Sequence, residues 1–249
     1  MEASVSTTPS SPAIQSPLQR AVAVFAKPRE AFAGLAERPS SWFPLLVNLL
    51  GSAVFIVALY QPFILPMQLE QMETQVAEGN MPPEALARTE QMMSGPFGIG
   101  SALISGILGS LLVGLLATLL VLLAVNFMLG ARLSFRQAWS LQWWAGLIYL
   151  VPLVLNIALS YATQQFPIHM GLGILAPAED ATSGFGTFIG MFLDSINPFA
   201  AWYLAVGAIG ASVMTGKPMK PVFIVFVGVY LVASLFGSGL GSMLQNMGR

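Results

Sequence analysis

The chain of 249 residues has no cysteine and one histidine, with ten Lys and Arg set against eleven Asp and Glu. Without cysteine there are no disulfides, no thiolate nucleophile and no Cys-ligated metal. One histidine cannot supply the clustered imidazoles of a zinc site. Charged residues are 8% of the chain, against about 25% in a soluble domain. That is too few to build a solvated surface over a protein of this size. A net charge of −1, with scattered basic residues, excludes a nucleic-acid footprint. What is abundant is apolar: 55% of residues are hydrophobic and the mean hydropathy is +0.74. Such a surface faces lipid.

Charges divide the chain into uncharged stretches at 39–69, 91–131, 137–178, 195–216 and 221–248. A helix needs about 20 apolar residues to cross a hydrocarbon core of about 30 Å. Five spans are therefore expected, near Phe43–Pro66, Ile99–Leu129, Trp139–Tyr161, Phe199–Thr215 and Pro221–Leu244. Span one starts too far into the chain, and is too long, for a signal peptide. Orientation follows from the basic residues in the loops. Arg20, Lys27, Arg29, Arg38, Arg132, Arg136, Lys217 and Lys220 fall on one side; only Arg88 and Arg249 fall opposite. Most acids, among them Glu70, Glu73, Glu78, Glu84, Glu90, Glu179 and Asp180, fall opposite as well. The N-terminus is expected in the cytoplasm and the C-terminus outside.

The fold class is thus an all-α integral membrane protein, a five-transmembrane-helix bundle. Residues 1–17, rich in Ser, Thr and Pro, read as a disordered tail. Residues 18–42 read as cytoplasmic amphipathic helices broken at Lys27-Pro28-Arg29, with Leu18, Val22, Phe25, Phe32 and Leu35 as the apolar stripe. They either lie on the inner leaflet or pack beneath the bundle. Residues 43–249 form the membrane domain. Within it, 67–97 reads as an outer acidic helical hairpin broken at Asn80-Met81-Pro82-Pro83. Its methionines, Met67, Met72, Met81, Met92 and Met93, have no Cys or His beside them to make a copper site. No metal or cofactor is expected.

Span two repeats small residues every four positions: Gly98, Ala102, Gly106, Ser110, Gly114 and Thr118. That stripe lets another helix approach closely, within the chain or in a dimer. Ala233, Gly237 and Gly241 in span five, and Gly207 and Ala211 in span four, repeat the idea. Polar positions sort by depth. Asn48 and Asn126 fall near the inner surface, placed to hydrogen-bond across helices. Gln61, Asn156 and Asn197 fall toward the outer one. Asp194 stands 22 residues from Gly216, about 33 Å along a helix, at the outer border of the hydrocarbon. Pro198 denies the Asp194 carbonyl its helical partner, so a helix kinks or begins there, with Asp194 and Asn197 serving the new end. Phe185–Leu193 is then a short apolar segment on, or dipping into, the outer leaflet. Trp42, Trp139, Trp143 and Trp144 read as inner interfacial anchors, and Trp202 sits near the outer end of span four.

FAKPREAFAGLAERPSSWFPLLVNLL, FRQAWSLQWWAGLIYLVPLVLN and INPFAAWYLAVGAIGASVMTGKPMKPVFIVFVGVYLV together resemble bacterial members of the Yip1 domain family. The resemblance spans roughly 18–244. Pro28, Phe32, Phe199, Trp202, Gly210, Lys217 and Lys220 carry it. It implies five spans with a cytoplasmic N-terminus and no enzymatic activity. Eukaryotic relatives bind small GTPases through a long acidic and aromatic N-terminus. This chain lacks that segment, so a small GTPase is not an expected partner.

No HExxH, no phosphate-binding glycine loop and no intramembrane catalytic pair is present; Asp194 and His169, on the outer side, are the only conceivable acid and base partners. The expected function is a non-enzymatic membrane-organising scaffold or partner subunit. The alternative is a permease or channel-like protein for a small neutral or lipidic substrate. Membrane lipids, and a homo-oligomer or another membrane protein, are the expected partners, in a bacterial inner (plasma) membrane.

Overall fold

The computed structural model describes residues 16–175 and 184–247, with side chains as far as Met243. Among the described residues five helices are long and apolar enough to cross a membrane: Trp42–Ala77, Pro96–Met128, Phe135–Thr163, Pro198–Thr215 and Met219–Met243. The chain is an all-α, multi-pass membrane protein. Leu46, Leu50, Val54 and Val57 on the first long helix, and Ile104, Leu108, Leu112 and Leu119 on the second, point out of the bundle. Hydrocarbon covers such a face at little cost, because the helical backbone behind it pairs its own polar groups.

Prolines decide where the spans bend. Helix α3 (Trp42–Leu59) passes through a π-turn at Tyr60–Ile64 into α4 (Leu65–Ala77). Pro62 has no N–H for the Ala58 carbonyl. The Tyr161 hydroxyl donates to that carbonyl instead, at 2.7 Å. Span one was expected to stop at Pro66. The helix runs on because Pro66 sits in the first turn of α4, where a proline is tolerated, and nothing breaks the helix before Gly79, at φ +77°. Helix α5 (Pro83–Ser94) then folds back on α4, giving a helical hairpin.

Helix α6 (Pro96–Leu122) ends in a second π-turn, Leu123–Met128. The third span is split into α7 (Phe135–Gly146), a 3₁₀ turn at Leu147–Tyr149 and α8 (Leu150–Thr163). Pro152 leaves the Ile148 carbonyl without its helical donor, and the chain tightens at that point. Ser134 and Gln137 form a capping box at the start of α7. Gln137 also donates to the Ala36 carbonyl at 2.6 Å, while Ser140 and the Trp144 indole both donate to the Ser40 carbonyl. Helix α9 (Gly184–Ser195) lies along α11 (Met219–Met247), with α10 (Pro198–Thr215) packed between α7 and α11. The apolar segment Phe185–Leu193 is therefore a bundle element, held by a neighbouring helix.

The amino-terminal helices α1 (Pro17–Ala26) and α2 (Pro28–Phe32) join the core. Ser16 caps α1 through a box with Gln19, so the last two residues of the expected tail belong to a helix. The rest of that tail, 1–15, and Glu179 and Asp180 lie outside the described residues. Val24, Phe32 and Leu35 are fully buried, whereas Leu18 and Val22 are each 69% exposed. The expected stripe was thus partly inverted. Both faces of α1 are apolar, so periodicity alone does not say which one meets protein and which meets lipid. Arg20 is on the buried side, its guanidinium 5.4 Å from the centre of the Trp144 ring. Desolvation holds its pKa below the ordinary arginine value.

Candidate functional site

The small-residue stripe of α6 is spent inside the chain. A Cβ on Gly98 would fall 2.0 Å from the Met93 carbonyl oxygen, at the end of α5. One on Gly106 would fall 2.2 Å from Cδ1 of Ile56 in α3, and one on Gly114 2.6 Å from the Trp143 ring in α7. Between them the Ser110 and Ser52 hydroxyls meet at 3.4 Å. These contacts need glycine because the facing helix leaves no volume for a side chain. Asn48 belongs to the same seam. It donates to the carbonyls of Pro44 and, across to α7, Trp143, at 2.7 and 3.3 Å.

The other side of α6 is open. Spans two to five enclose a cavity of about 410 Å³ between Val113, Leu116, Leu120 and Ala124 of α6 with its π-turn, Leu141 and Ala145 of α7, Leu204 and Gly207 of α10, and Phe226 and Ala233 of α11. Its polar atoms come from Gln142, Tyr149, Tyr203, Tyr230 and Ser234. The Tyr203 hydroxyl donates to Oε1 of Gln142. The Tyr149 and Tyr203 rings lie 5.0 Å apart. Tyr230 donates at 2.8 Å to the Ser195 carbonyl, where α9 ends. Helix α11 packs on the π-turn Leu123–Met128 rather than along α6, so the cavity widens into a cleft away from that turn. Val113 and Leu116 line it and are also exposed on the outside of the bundle.

A second cavity, about 390 Å³, lies beyond the first toward the end of the bundle where α10 begins. Asn156 of α8, Asp194 of α9 and Asn197 supply its polar wall; Phe55, Leu153, Met170 and Phe199 supply much of the rest. Asn197 is the N-cap of α10: its Oδ1 accepts from the Ala200 N–H at 2.8 Å, and its Nδ2 donates to the Asp194 carbonyl at 3.0 Å. The helix begins at Pro198 rather than kinking there, and the carbonyl that Pro198 orphans is satisfied by the neighbouring asparagine. Asp194 holds a different partner: His169 Nδ1 is 2.5 Å from its Oδ2. The loop that brings His169 closes tightly over Asp194. A Cβ on Gly171 would fall 2.5 Å from the Asp194 backbone oxygen, and one on Gly173 2.1 Å from its Oδ1. Tyr149 lines both cavities. It is the wall between them.

Residues 22–241 match the family model of the Yip1 domain. The chain belongs to the Yip1 domain family. No curated protein and no solved structure matches it. The Yip1 match opens at Val22 within α1, so the domain takes in most of the amino-terminal hairpin as well as all five spans. Among the described residues of this Yip1 domain no three His, Cys, Asp or Glu come together as metal ligands.

Of the positions singled out in the sequence of this Yip1 domain, Asn156, Asp194 and Asn197 converge on one cavity. Gly106, Ser110, Gly114 and Asn48 converge on the seam. Asn126 does neither. Its side chain is spent on Leu133, donating to the carbonyl at 2.9 Å and accepting from the N–H at 2.8 Å. It closes the turn into α7 rather than bonding across helices. Gln61 donates to the Ser94 carbonyl at 3.4 Å and ties α5 to the π-turn. Trp202 packs edge-on against Phe25 at 5.8 Å, away from both cavities. The polar groups of the large cavity, Gln142, Tyr149, Tyr203 and Tyr230, were not among the expected positions. Their signal was present: four hydrogen-bonding tips within apolar spans, one of them three residues before Pro152.

Proposed function

We propose that this Yip1 domain protein acts without catalysis, as a permease- or channel-like bundle that admits a small neutral or lipidic molecule. One observation carries the reading: an apolar cavity of about 410 Å³ meets a polar cavity of about 390 Å³ at Tyr149. Both fall within the roughly 300–1,000 Å³ of ordinary ligand sites. Among the described residues the cavity walls hold no buried acid–base pair; His169 and Asp194 meet where both are partly exposed. That pair sits at the polar mouth, where it suits recognition better than chemistry. The test is native mass spectrometry of protein released directly from its membrane. A retained lipid adduct is expected, and Ala117→Trp, which puts a large ring on the cleft wall where Ala117 stands, is expected to lose it. An unaltered chain that carries no adduct, or a filled variant that keeps its own, would overturn the reading.

A scaffold role is the second reading, favoured by the α4–α5 hairpin. Helix α5 buries no residue of its own, and Met92 stands exposed on it. Oligomer formation would use this hairpin in preference to Gly98, Gly106 and Gly114 of α6, which are occupied within the chain. On either reading we place the N-terminus and the Arg132 and Lys217 loops in the cytoplasm of a bacterial plasma membrane, with the hairpin outside. A chain without cysteine makes this easy to test. Cysteine in place of Asn80 should react with an impermeant reagent in intact cells; reaction only after lysis reverses the topology.

A further inference from the structure

We infer that the two cavities are the halves of one site for an uncharged amphiphile, with a hydroxyl-bearing head beside Asn156 and Asp194 and an acyl chain in the cleft. The inference rests on the permease-like reading and names its substrate class. The two cavities adjoin at Tyr149, the residue common to both walls.

The head chemistry follows from which polar groups are free. Asn197 is fully engaged, capping α10 with its oxygen and holding the Asp194 carbonyl with its nitrogen. Asp194 presents Oδ2 to His169, and its Oδ1 is buried against Gly173, out of a guest's reach; a guest therefore shares Oδ2 with His169. Asn156 accepts a long bond of 3.4 Å from Ser160, which leaves its amide N–H groups for a guest. Among the described residues no Lys or Arg lines the head cavity. A phosphate there would bring negative charge against Asp194 with no cation to answer it, a costly burial. An ammonium head would have to compete with His169 for the same carboxylate. A hydroxyl accepts from Asn156 and donates to the carboxylate, and needs no counter-ion.

The tail chemistry follows from the route of access. Because α11 packs mainly on the π-turn of α6 rather than along α6, the cleft opens sideways. The lining residues Val113 and Leu116 are 65% and 52% exposed on the face that lipid covers. An acyl chain can slide in from the hydrocarbon without crossing water, and its head then reaches the outer cavity past Tyr149.

The experiment uses the full chain in phosphatidylcholine nanodiscs and three lipids sharing one diazirine-bearing acyl chain. A diacylglycerol supplies the hydroxyl head, a phosphatidic acid the anionic head and a quaternary-ammonium lipid the cationic head. Photolabelling of the α6 and α11 segments that line the cleft is expected to favour the diacylglycerol by about tenfold, the worth of one well-made hydrogen bond. Asn156→Leu is expected to erase that preference while leaving the tail labelling in place. Equal labelling by all three heads, or a preference for either charged head, overturns the inference and leaves the permease-like reading standing. No labelling of the cleft by any of them overturns both. The three-lipid comparison is made on the unaltered chain, so it decides the matter even where Asn156→Leu fails to fold.

Discussion

Helix α6 is packed on one side and open on the other. Its glycine and serine stripe lies in contact with α3 and α7, close enough that Gly106 and Gly114 have no room for a Cβ. Its Val113, Leu116 and Leu120 side faces a cavity. The two sides are about equally apolar, so hydrophobicity does not distinguish them. Size does. In a membrane, lipid and leucine are equally comfortable neighbours, and helices close on each other only where small residues let backbones approach. A side made of large residues is left apart unless something fills the gap.

The comparison breaks most sharply at Gly114. Gly114→Leu should cost about 3 kcal/mol, the upper end of overpacking, because the facing Trp143 ring, fixed between helices, cannot turn away. Thermal unfolding in detergent would measure it, and an unchanged midpoint would mean that the seam is looser than described. Gly106→Leu should cost less, about 1 kcal/mol, since the obstruction is the flexible end of Ile56. Asp194→Asn tests the polar end of the open side. Its partner His169 is half exposed, so the loss should be roughly 0.5 kcal/mol, with assembly intact. A collapse in protein level would show that the pair anchors the loop far more strongly than a solvated contact can. Smallest of all is Ala233→Leu. The same enlargement that is ruinous at Gly114 has free volume to enter on this side, and stability should move by no more than about 0.5 kcal/mol. A large loss there would mean that the cleft is not open space.

The five spans were legible because charge interrupts the apolar runs at short intervals, and length then fixes the count. Their ends were less so. Pro66 reads as a terminator in one dimension, yet it occupies a helix position where its missing N–H costs little, and α4 continues through residues that all favour helix. The seam was legible too, because a four-residue repeat places its members on one face before any partner is known. The cleft was not. Gln142, Tyr149, Tyr203 and Tyr230 come from three helices, and a tyrosine counts as apolar in a hydropathy average although its tip is a hydroxyl. His169 and Asp194 are separated by 25 residues. The close approach of Gly171 and Gly173, with the Leu172 N–H donating to the Ile196 carbonyl at 3.1 Å, holds the loop that far back. Asn126 was misassigned for a related reason: depth along a span does not reveal that a turn seven residues away needs closing.

The π-turn at Tyr60–Ile64 has a consequence for reach. The span bends there without being interrupted, so Trp42–Ala77 is one continuous element of 36 residues, about 54 Å along its path. One end carries the hairpin and the other is held in the seam by Asn48. The Tyr161 hydroxyl braces it just below the turn, on the Ala58 carbonyl. Gly51, on the same element, packs so closely on Leu150 that a Cβ would fall 2.6 Å from its Cδ2, one residue along the chain from Tyr149. A single helix thus touches both the hairpin and the residue beside the cavity wall.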